Sequence, residues 1–212
     1  MTETLEDMIR FDLRDRGVRD ERVLDAFQRV DRKKFVPEFA RADAYNDRAL
    51  ILSHGQTLSQ PYMVGLMTQA LALKGHERVL EVGTGSGFQT GILACVAREV
   101  YTVERIEYLA TTAEDRLLDL GFKNIRYHLG DGSLGWPEHA PYDRVIITAA
   151  SPKIPDALVG QLNQDSGILV APIGPPDCQE LIAVTMQNKK RSEKQLGSCV
   201  FVKLIGSEGY EQ

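Results

Sequence analysis

The sequence predicts an α/β fold: a doubly wound, mostly parallel sheet of about seven strands, with helices on its faces. Two observations favour this class. Short apolar segments alternate with helical patterns after residue 76, and the first of them runs through a glycine-rich turn into a helix. The 43% hydrophobic and 26% charged shares are typical of a globular domain, which excludes fibrous and disordered classes.

Three helices are predicted before the sheet, and they form an N-terminal helical cap. The first places Leu5 to Leu13 at helical spacing and ends before Gly17. The second begins after Asp20, an N-cap residue, and the third begins at Pro61, which suits a first helical turn. We expect a single domain, in which residues 1–74 hold these helices and residues 75–212 form the sheet.

Seven β segments follow, with helices at about 92–96, 108–120 and 155–162. The last two β segments have no helix between them, so we expect an antiparallel pair at one edge, joined by a charged turn. The predicted strands are 78–82, 99–104, 124–129, 142–148, 167–171, 181–186 and 199–204.

Charge and composition exclude several classes of protein. The net charge of −5 and the lack of a long basic run argue against a nucleic-acid partner. The N-terminus lacks an apolar signal core, and the uncharged stretch 49–73 is too polar to span a bilayer. Three widely spaced cysteines and four histidines without ligand spacing indicate neither a disulfide framework nor a metal site. We therefore expect a cytoplasmic protein without a membrane or nucleic-acid partner, and separately we expect a monomer.

The glycine-rich turn after the first strand indicates a ligand site. Residues 79–87 read VLEVGTGSG, and backbone without side chains can approach a ligand closely. The turn follows a parallel strand, where α/β sheets bind ligands. It departs from the dinucleotide fingerprint, because Phe88 stands where that pattern needs glycine, and it lacks the lysine of a phosphate loop. Glu81 before the turn would repel a pyrophosphate and suits a cationic ligand.

Carboxylates also end the next two strands. Glu104 can accept hydrogen bonds from both hydroxyls of a ribose, and Asp131 can accept one from an exocyclic amine such as that of adenine. Taken singly, Glu104 could be a solvated strand end and Asp131 a turn residue. Together with Glu81 they indicate a ligand with an amino group, a ribose and an adenine but no phosphate, which describes S-adenosylmethionine.

Several short segments match one protein family in order along nearly the whole chain. The most specific is GQTLSQPYM at 55–63; the others are KFVP at 34–37, VLEVGTGSGFQT at 79–90, VER at 103–105, GDG at 130–132, TAA at 148–150 and FVKL at 201–204. On these segments the chain resembles the protein-L-isoaspartate O-methyltransferases. It departs from them at His54 and at Ser151 and Lys203, where proline is usual; Lys203 falls in the edge strand that the family uses to line its peptide.

The resemblance implies a Rossmann-like methyltransferase that moves a methyl group from S-adenosylmethionine to the α-carboxylate of L-isoaspartyl residues in damaged proteins and peptides. No metal is implied. The implied cofactor residues are Glu81, Gly83, Thr84, Gly85, Gly87, Gln89, Thr90, Glu104, Arg105, Asp131 and Gly132. The implied substrate residues are Gln56, Thr57, Leu58, Ser59 and Val202, with Ser59 as the catalytic residue.

The chemistry needs few catalytic groups. A carboxyl group with a pKa of about 4 is already ionised at neutral pH, so no general base is required. The Ser59 hydroxyl could hold that carboxylate, or it could cap the helix that begins at Pro61.

Two other functions remain open at this stage. A methyltransferase of the same fold could act on aspartyl residues of a specific modified peptide, on another small carboxylate or on RNA, although the acidic charge balance speaks against RNA. A non-catalytic nucleoside-binding adapter would use the cofactor site alone.

Overall fold

The computed structural model describes residues 4–211, and a seven-stranded sheet forms their centre. The strands are β1 (Leu50–Ile51), β2 (Thr57–Leu58), β3 (Arg78–Val82), β4 (Glu99–Glu104), β5 (Ile125–Leu129), β6 (Arg144–Ile147), β7 (Ile168–Ile173), β8 (Gln179–Gln187) and β9 (Lys190–Cys199). The sheet order is β5-β4-β3-β6-β7-β8-β9, and β1 pairs with β2 in a separate hairpin. Strands β3 to β7 run parallel, while β8 and β9 are antiparallel at one edge.

The predicted fold class is confirmed, and β3 and β4 have the predicted bounds. The chain adds β4 and β5 on one side of β3 and then crosses to place β6 on its other side. The strand order therefore reverses beside β3, and such a switch point opens a crevice at the carboxyl ends of the strands.

The parallel strands are buried on both faces of the sheet. Val79 and Val100 pack into one core together with Ile92, whereas Leu80 and Tyr101 pack into a second core on the opposite face. Burial on both faces explains why these strands read as continuous apolar runs rather than as alternating patterns.

The helices are α1 (Leu5–Asp7, continued as a π-helix over Met8–Arg14), α2 (Glu21–Arg29), α3 (Pro61–Ala70), α4 (Phe88–Val96), α5 (Glu107–Asp119) and α6 (Asp156–Gly160). Short 3-10 turns lie at Arg32–Phe35, Glu38–Asp43, Gly132–Leu134 and Pro137–His139. None of the helices within residues 4–211 has the length and apolar character that crossing a bilayer requires.

The N-terminal helices begin where the sequence predicts. The Asp20 side chain accepts a hydrogen bond from the Arg22 amide and so caps α2, while Pro61 occupies the first turn of α3. The cap rests mainly on α4 rather than on the sheet itself. The ring of Phe88 in α4 meets Phe27 and Phe35 edge-on, with centroids 5.7 and 5.5 Å apart.

The predicted strand at 199–204 is wrong. The hairpin turns at Asn188 and Lys189, which both have positive φ as a tight hairpin requires, and β9 therefore runs from Lys190 to Cys199. An exposed edge strand can carry charged residues, so residues 190–199 lack the apolar run that predicts a strand. Residues 200–205 instead cross the carboxyl ends of the strands, where Lys203 forms a single bridge with Ala150.

Candidate functional site

A cleft of about 800 Å³ opens at the carboxyl ends of the parallel strands. The glycine loop after β3, the end of β4 and the loop after β5 form one side of it. The segment before α3 and residues 202–205 form the other side. The cleft therefore lies beside the point where the strand order reverses.

Most of the predicted site residues line this cleft. They are Gln56, Thr57, Leu58, Ser59, Gly83, Thr84, Gly85, Gln89, Glu104, Arg105, Gly132 and Val202. Glu81, Gly87, Thr90 and Asp131 lie outside the lining, so their part in ligand binding stays a prediction.

Two glycines of the loop have different structural tasks. Gly85 has a φ of +55°, and a Cβ there would meet no protein atom within 4 Å, so a larger side chain would project into the cleft. Gly87 has a φ of +87°, and a Cβ there would lie 3.0 Å from the Leu117 side chain of α5. Gly85 thus keeps the cleft open, and Gly87 lets the loop pack against the helix.

Glu104 joins the three loops on one side of the cleft. Its Oε2 accepts a hydrogen bond from the Gly85 amide at 2.9 Å, and its Oε1 accepts from the amides of Arg105 and Ile106 at 2.9 and 3.0 Å. Its main-chain carbonyl accepts from the Gly130 amide at 2.9 Å. A carboxylate has about four acceptor positions, so the Glu104 side chain retains capacity for a ligand hydroxyl.

Glu81 lies behind the glycine loop and is fully buried. Its Oε2 accepts hydrogen bonds from the hydroxyls of Thr90 and Thr102, both at 2.6 Å, while its Oε1 has no hydrogen-bond partner among the described residues. Burial raises the pKa of Glu81 to about 8, and repulsion from Glu104 adds to the shift. A carboxyl group that is mostly protonated at neutral pH presents little negative charge, so the expected attraction for a cationic ligand is weak here.

Asp131 uses both carboxylate oxygens within the protein. Its Oδ1 accepts hydrogen bonds from the amide and hydroxyl of Ser133, and its Oδ2 accepts one from the Ser207 amide. These bonds lower the pKa of Asp131 despite its partial burial. The Asp131 side chain therefore stabilises the turn after β5 through Ser133, as the alternative interpretation of this residue predicts. It also holds the C-terminal segment against that turn through Ser207.

Ser59 is not the cap of α3. The N-cap residue is Gln60, whose side chain makes no capping hydrogen bond, and Ser59 precedes it. Within residues 4–211 the Ser59 hydroxyl has no hydrogen-bond partner, and the residue is half-buried in the cleft wall. The capping alternative is therefore wrong, and the hydroxyl is available to a ligand.

A second cavity of about 620 Å³ adjoins the first. Thr57 and Ser59 line both cavities, so they form the wall between them. The outer side of the second cavity includes Arg16, whose guanidinium lies 3.7 Å from the centre of the Tyr62 ring. Two molecules bound in the two cavities would therefore meet at the hydroxyls of Thr57 and Ser59.

Several residues of the cleft were missed by the sequence analysis. Thr148 lies just after β6, and its hydroxyl donates to the carbonyls of Val82 and Gly83 at 2.9 and 2.7 Å. Its position at a strand end was a usable signal. Leu204 and Ile205 also line the cleft, and so does Lys203, which the resemblance had placed in a strand that lines the peptide. In the described residues, no three His, Cys, Asp or Glu side chains are grouped to hold a metal ion.

Comparison with known sequences identifies close relatives. The family model described as protein-L-isoaspartate(D-aspartate) O-methyltransferase (PCMT) matches residues 3–209. A protein-L-isoaspartate O-methyltransferase from Dictyoglomus thermophilum is 49% identical over 199 residues, which cover 94% of this chain and 90% of the relative. One from Methanoculleus marisnigri is 45% identical over 206 residues, covering 97% and 93%.

Solved structures share the fold. A protein-L-isoaspartate O-methyltransferase superposes with a TM-score of 0.86 at 24% identity, over 97% of this chain and 67% of that one. A Plasmodium falciparum protein described as a protein-L-isoaspartate O-methyltransferase beta-aspartate methyltransferase (PCMT), in complex with S-adenosyl-L-homocysteine, superposes with a TM-score of 0.81 at 24% identity, over 95% of this chain and 98% of that one.

The buried Glu81 predicts a distinct pH dependence of stability. Its pKa is raised in the folded state, so the folded protein holds more protons than the unfolded chain between about pH 4.5 and 8. The free energy of unfolding should therefore fall as pH rises through this window. Glu81→Gln should remove that component, so urea unfolding should show the variant gaining stability relative to the parent from pH 5 to pH 8. Exposed Glu107→Gln serves as the control, and equal slopes in parent and Glu81→Gln would contradict the assignment.

Proposed function

Because the chain belongs to the protein-L-isoaspartate(D-aspartate) O-methyltransferase family, we propose that it transfers a methyl group from S-adenosylmethionine to the α-carboxylate of L-isoaspartyl residues in damaged proteins and peptides. The observation that carries the proposal is the pair of cavities that meet at Thr57 and Ser59. The cleft at the strand ends suits a cofactor, because α/β sheets bind ligands there, and the second cavity suits a peptide. The reacting groups would then meet at the shared wall.

The residues of the cleft at the strand ends fit S-adenosylmethionine. Glu104 keeps acceptor capacity for a ribose hydroxyl, and Gly85 leaves space for a ligand beside the loop. The loop contains no lysine that would pair with a phosphate, in keeping with a nucleoside that carries none. Glu104, Gly85 and Gly132 would hold the nucleoside, and Thr84 and Gln89 would contact the rest of the cofactor.

The chain contributes alignment rather than acid–base catalysis. When bound, S-adenosylmethionine supplies a methyl group on a sulfonium, which is a good leaving group. The isoaspartyl carboxylate is already ionised at neutral pH, because its pKa is about 4. The hydroxyls of Thr57 and Ser59 could donate to this carboxylate and orient it toward the bound cofactor, which is the alignment that methyl transfer requires.

The product explains how such a reaction repairs proteins. A methyl ester is a better electrophile than a carboxylate, so the neighbouring backbone nitrogen closes a succinimide and releases methanol. Hydrolysis of the succinimide returns part of the product to normal aspartate. The enzyme needs only to make the ester, in keeping with a site built from positioning groups.

We further propose that the protein acts in the cytoplasm as a monomer and without nucleic acid. Residues of one chain line both cavities, so the site needs no second subunit. The net charge of −5 gives no electrostatic attraction to a phosphate backbone.

Ser59→Ala tests the junction of the cavities. Losing one hydrogen bond to a charged group costs about 1.5–3 kcal/mol, so kcat on an isoaspartyl peptide should fall about tenfold to a hundredfold. Because the hydroxyl caps no helix, the thermal midpoint should stay near that of the parent. Turnover and melting are measured on the same samples, with exposed Ser53→Ala as the control. An unchanged kcat in Ser59→Ala would remove Ser59 from the catalytic group.

Glu104→Gln tests the cofactor side. The amide has only one oxygen to accept hydrogen bonds, so the affinity for S-adenosylmethionine should fall about tenfold to a hundredfold in calorimetry. Glu99→Gln, at the other end of β4, is the matched control and should bind the cofactor normally. Equal affinity in both variants would show that Glu104 does not contact the ribose.

A further inference from the structure

A buried arginine that lines neither cavity holds the segment that leads to Ser59. Arg32 is fully buried in the 3-10 turn before this segment. Its Nε donates to the Ala44 carbonyl at 2.7 Å, its Nη1 to the Ser59 carbonyl at 2.7 Å and its Nη2 to the Arg48 carbonyl at 3.3 Å. The guanidinium carbon lies 5.2 Å from the centre of the Phe88 ring, which lines the cofactor cavity.

This arrangement is costly for a residue that only fills space. No carboxylate lies within ion-pair distance of Arg32 among the described residues, and Asp47 acts on it only through longer-range attraction. Burial lowers the pKa of Arg32 to about 9, which still leaves the guanidinium charged at neutral pH. Burying an unpaired charge is expensive, and an apolar residue of similar volume is often as stable. Departures of this kind from the usual rules of burial are expected at functional or strained sites.

The carbonyl of Ser59 has a particular need for this donor. Ser59 lies one residue before the N-cap of α3, so its carbonyl accepts no hydrogen bond within the helix. The Arg32 guanidinium donates the hydrogen bond that this carbonyl would otherwise lack. Because it also donates to the carbonyls of Ala44 and Arg48, it links Ser59 to both of them. A planar group with fixed donor directions can hold three chain segments at once, which a lysine ammonium cannot do with the same geometry.

We propose that Arg32 is a positioning residue for methyl transfer, because its guanidinium fixes the main chain at Ser59 and thereby the direction in which the Ser59 hydroxyl meets the substrate carboxylate. The inference rests on the proposed function. It assigns Arg32 no contact with substrate or cofactor. Its effect on catalysis must therefore pass through Ser59.

Four proteins test the inference: the parent, Arg32→Lys, Ser59→Ala and the double variant. Arg32→Lys should lower kcat on an isoaspartyl peptide about tenfold or more, because small misplacements of aligned groups are expensive. Its affinity for S-adenosylhomocysteine should match that of the parent. In the Ser59→Ala background the same change should lower kcat little further, since the hydroxyl that Arg32 positions is already absent. Exposed Arg41→Lys is the control and should leave every value unchanged.

Two results would overturn the inference. The first is that Arg32→Lys lowers kcat by the same factor in the parent and in the Ser59→Ala background. The second is that Arg32→Lys lowers the thermal midpoint but leaves kcat unchanged. If Arg32→Lys fails to fold, Arg32→Gln replaces it in the same cycle, because the amide keeps donors without burying a charge.

Hydrogen exchange separates this inference from the proposed function. In the folded Arg32 variant, exchange should speed up over residues 44–60 and stay unchanged in β3, β4 and β6. If hydrogen exchange sped up equally in all of these segments, or in none of them, the positioning role of Arg32 would be overturned even with an active parent. An inactive parent with local acceleration would instead contradict the proposed substrate.

Discussion

The side of the cleft proposed to bind cofactor depends on Glu104, because this one residue holds three loops together. Its carboxylate accepts hydrogen bonds from the amides of Gly85, Arg105 and Ile106, and its carbonyl accepts one from Gly130. Backbone amides at strand ends otherwise need water or a ligand. By pairing them, a single buried acid fixes the ends of β3, β4 and β5 before any ligand arrives, while keeping capacity for one.

The peptide side is built differently, from a segment with little regular structure. It consists of a short hairpin with two-residue strands, the wall of Thr57 and Ser59, and the start of α3. The buried guanidinium of Arg32 holds this segment through the carbonyl of Ser59. The carboxyl ends of the strands form one side of the site, and the loop held by Arg32 forms the other. The two cavities meet at Thr57 and Ser59. Such a division fits a reaction in which alignment, rather than proton transfer, is the task.

The sequence predicted the parallel strands and the helix starts because both have local causes: buried apolar runs and capping residues such as Asp20 and Pro61. It did not predict β9, since an exposed edge strand shows no apolar pattern. Nor did it separate residues that line the cleft from those that support it. Glu81 and Asp131 follow the same strand-end pattern as Glu104, yet their side chains turn to threonines and to Ser207, and only tertiary contacts decide this.

The most direct test compares two forms of one peptide that differ only in an isoaspartyl or aspartyl residue at a single position. With S-adenosylmethionine present, the account predicts methyl ester on the isoaspartyl form and little on the aspartyl form. Preferred methylation of the aspartyl form would indicate a methyltransferase of the same fold with another substrate. Cofactor binding without transfer to either form would indicate a nucleoside-binding adapter, and either result would contradict the account.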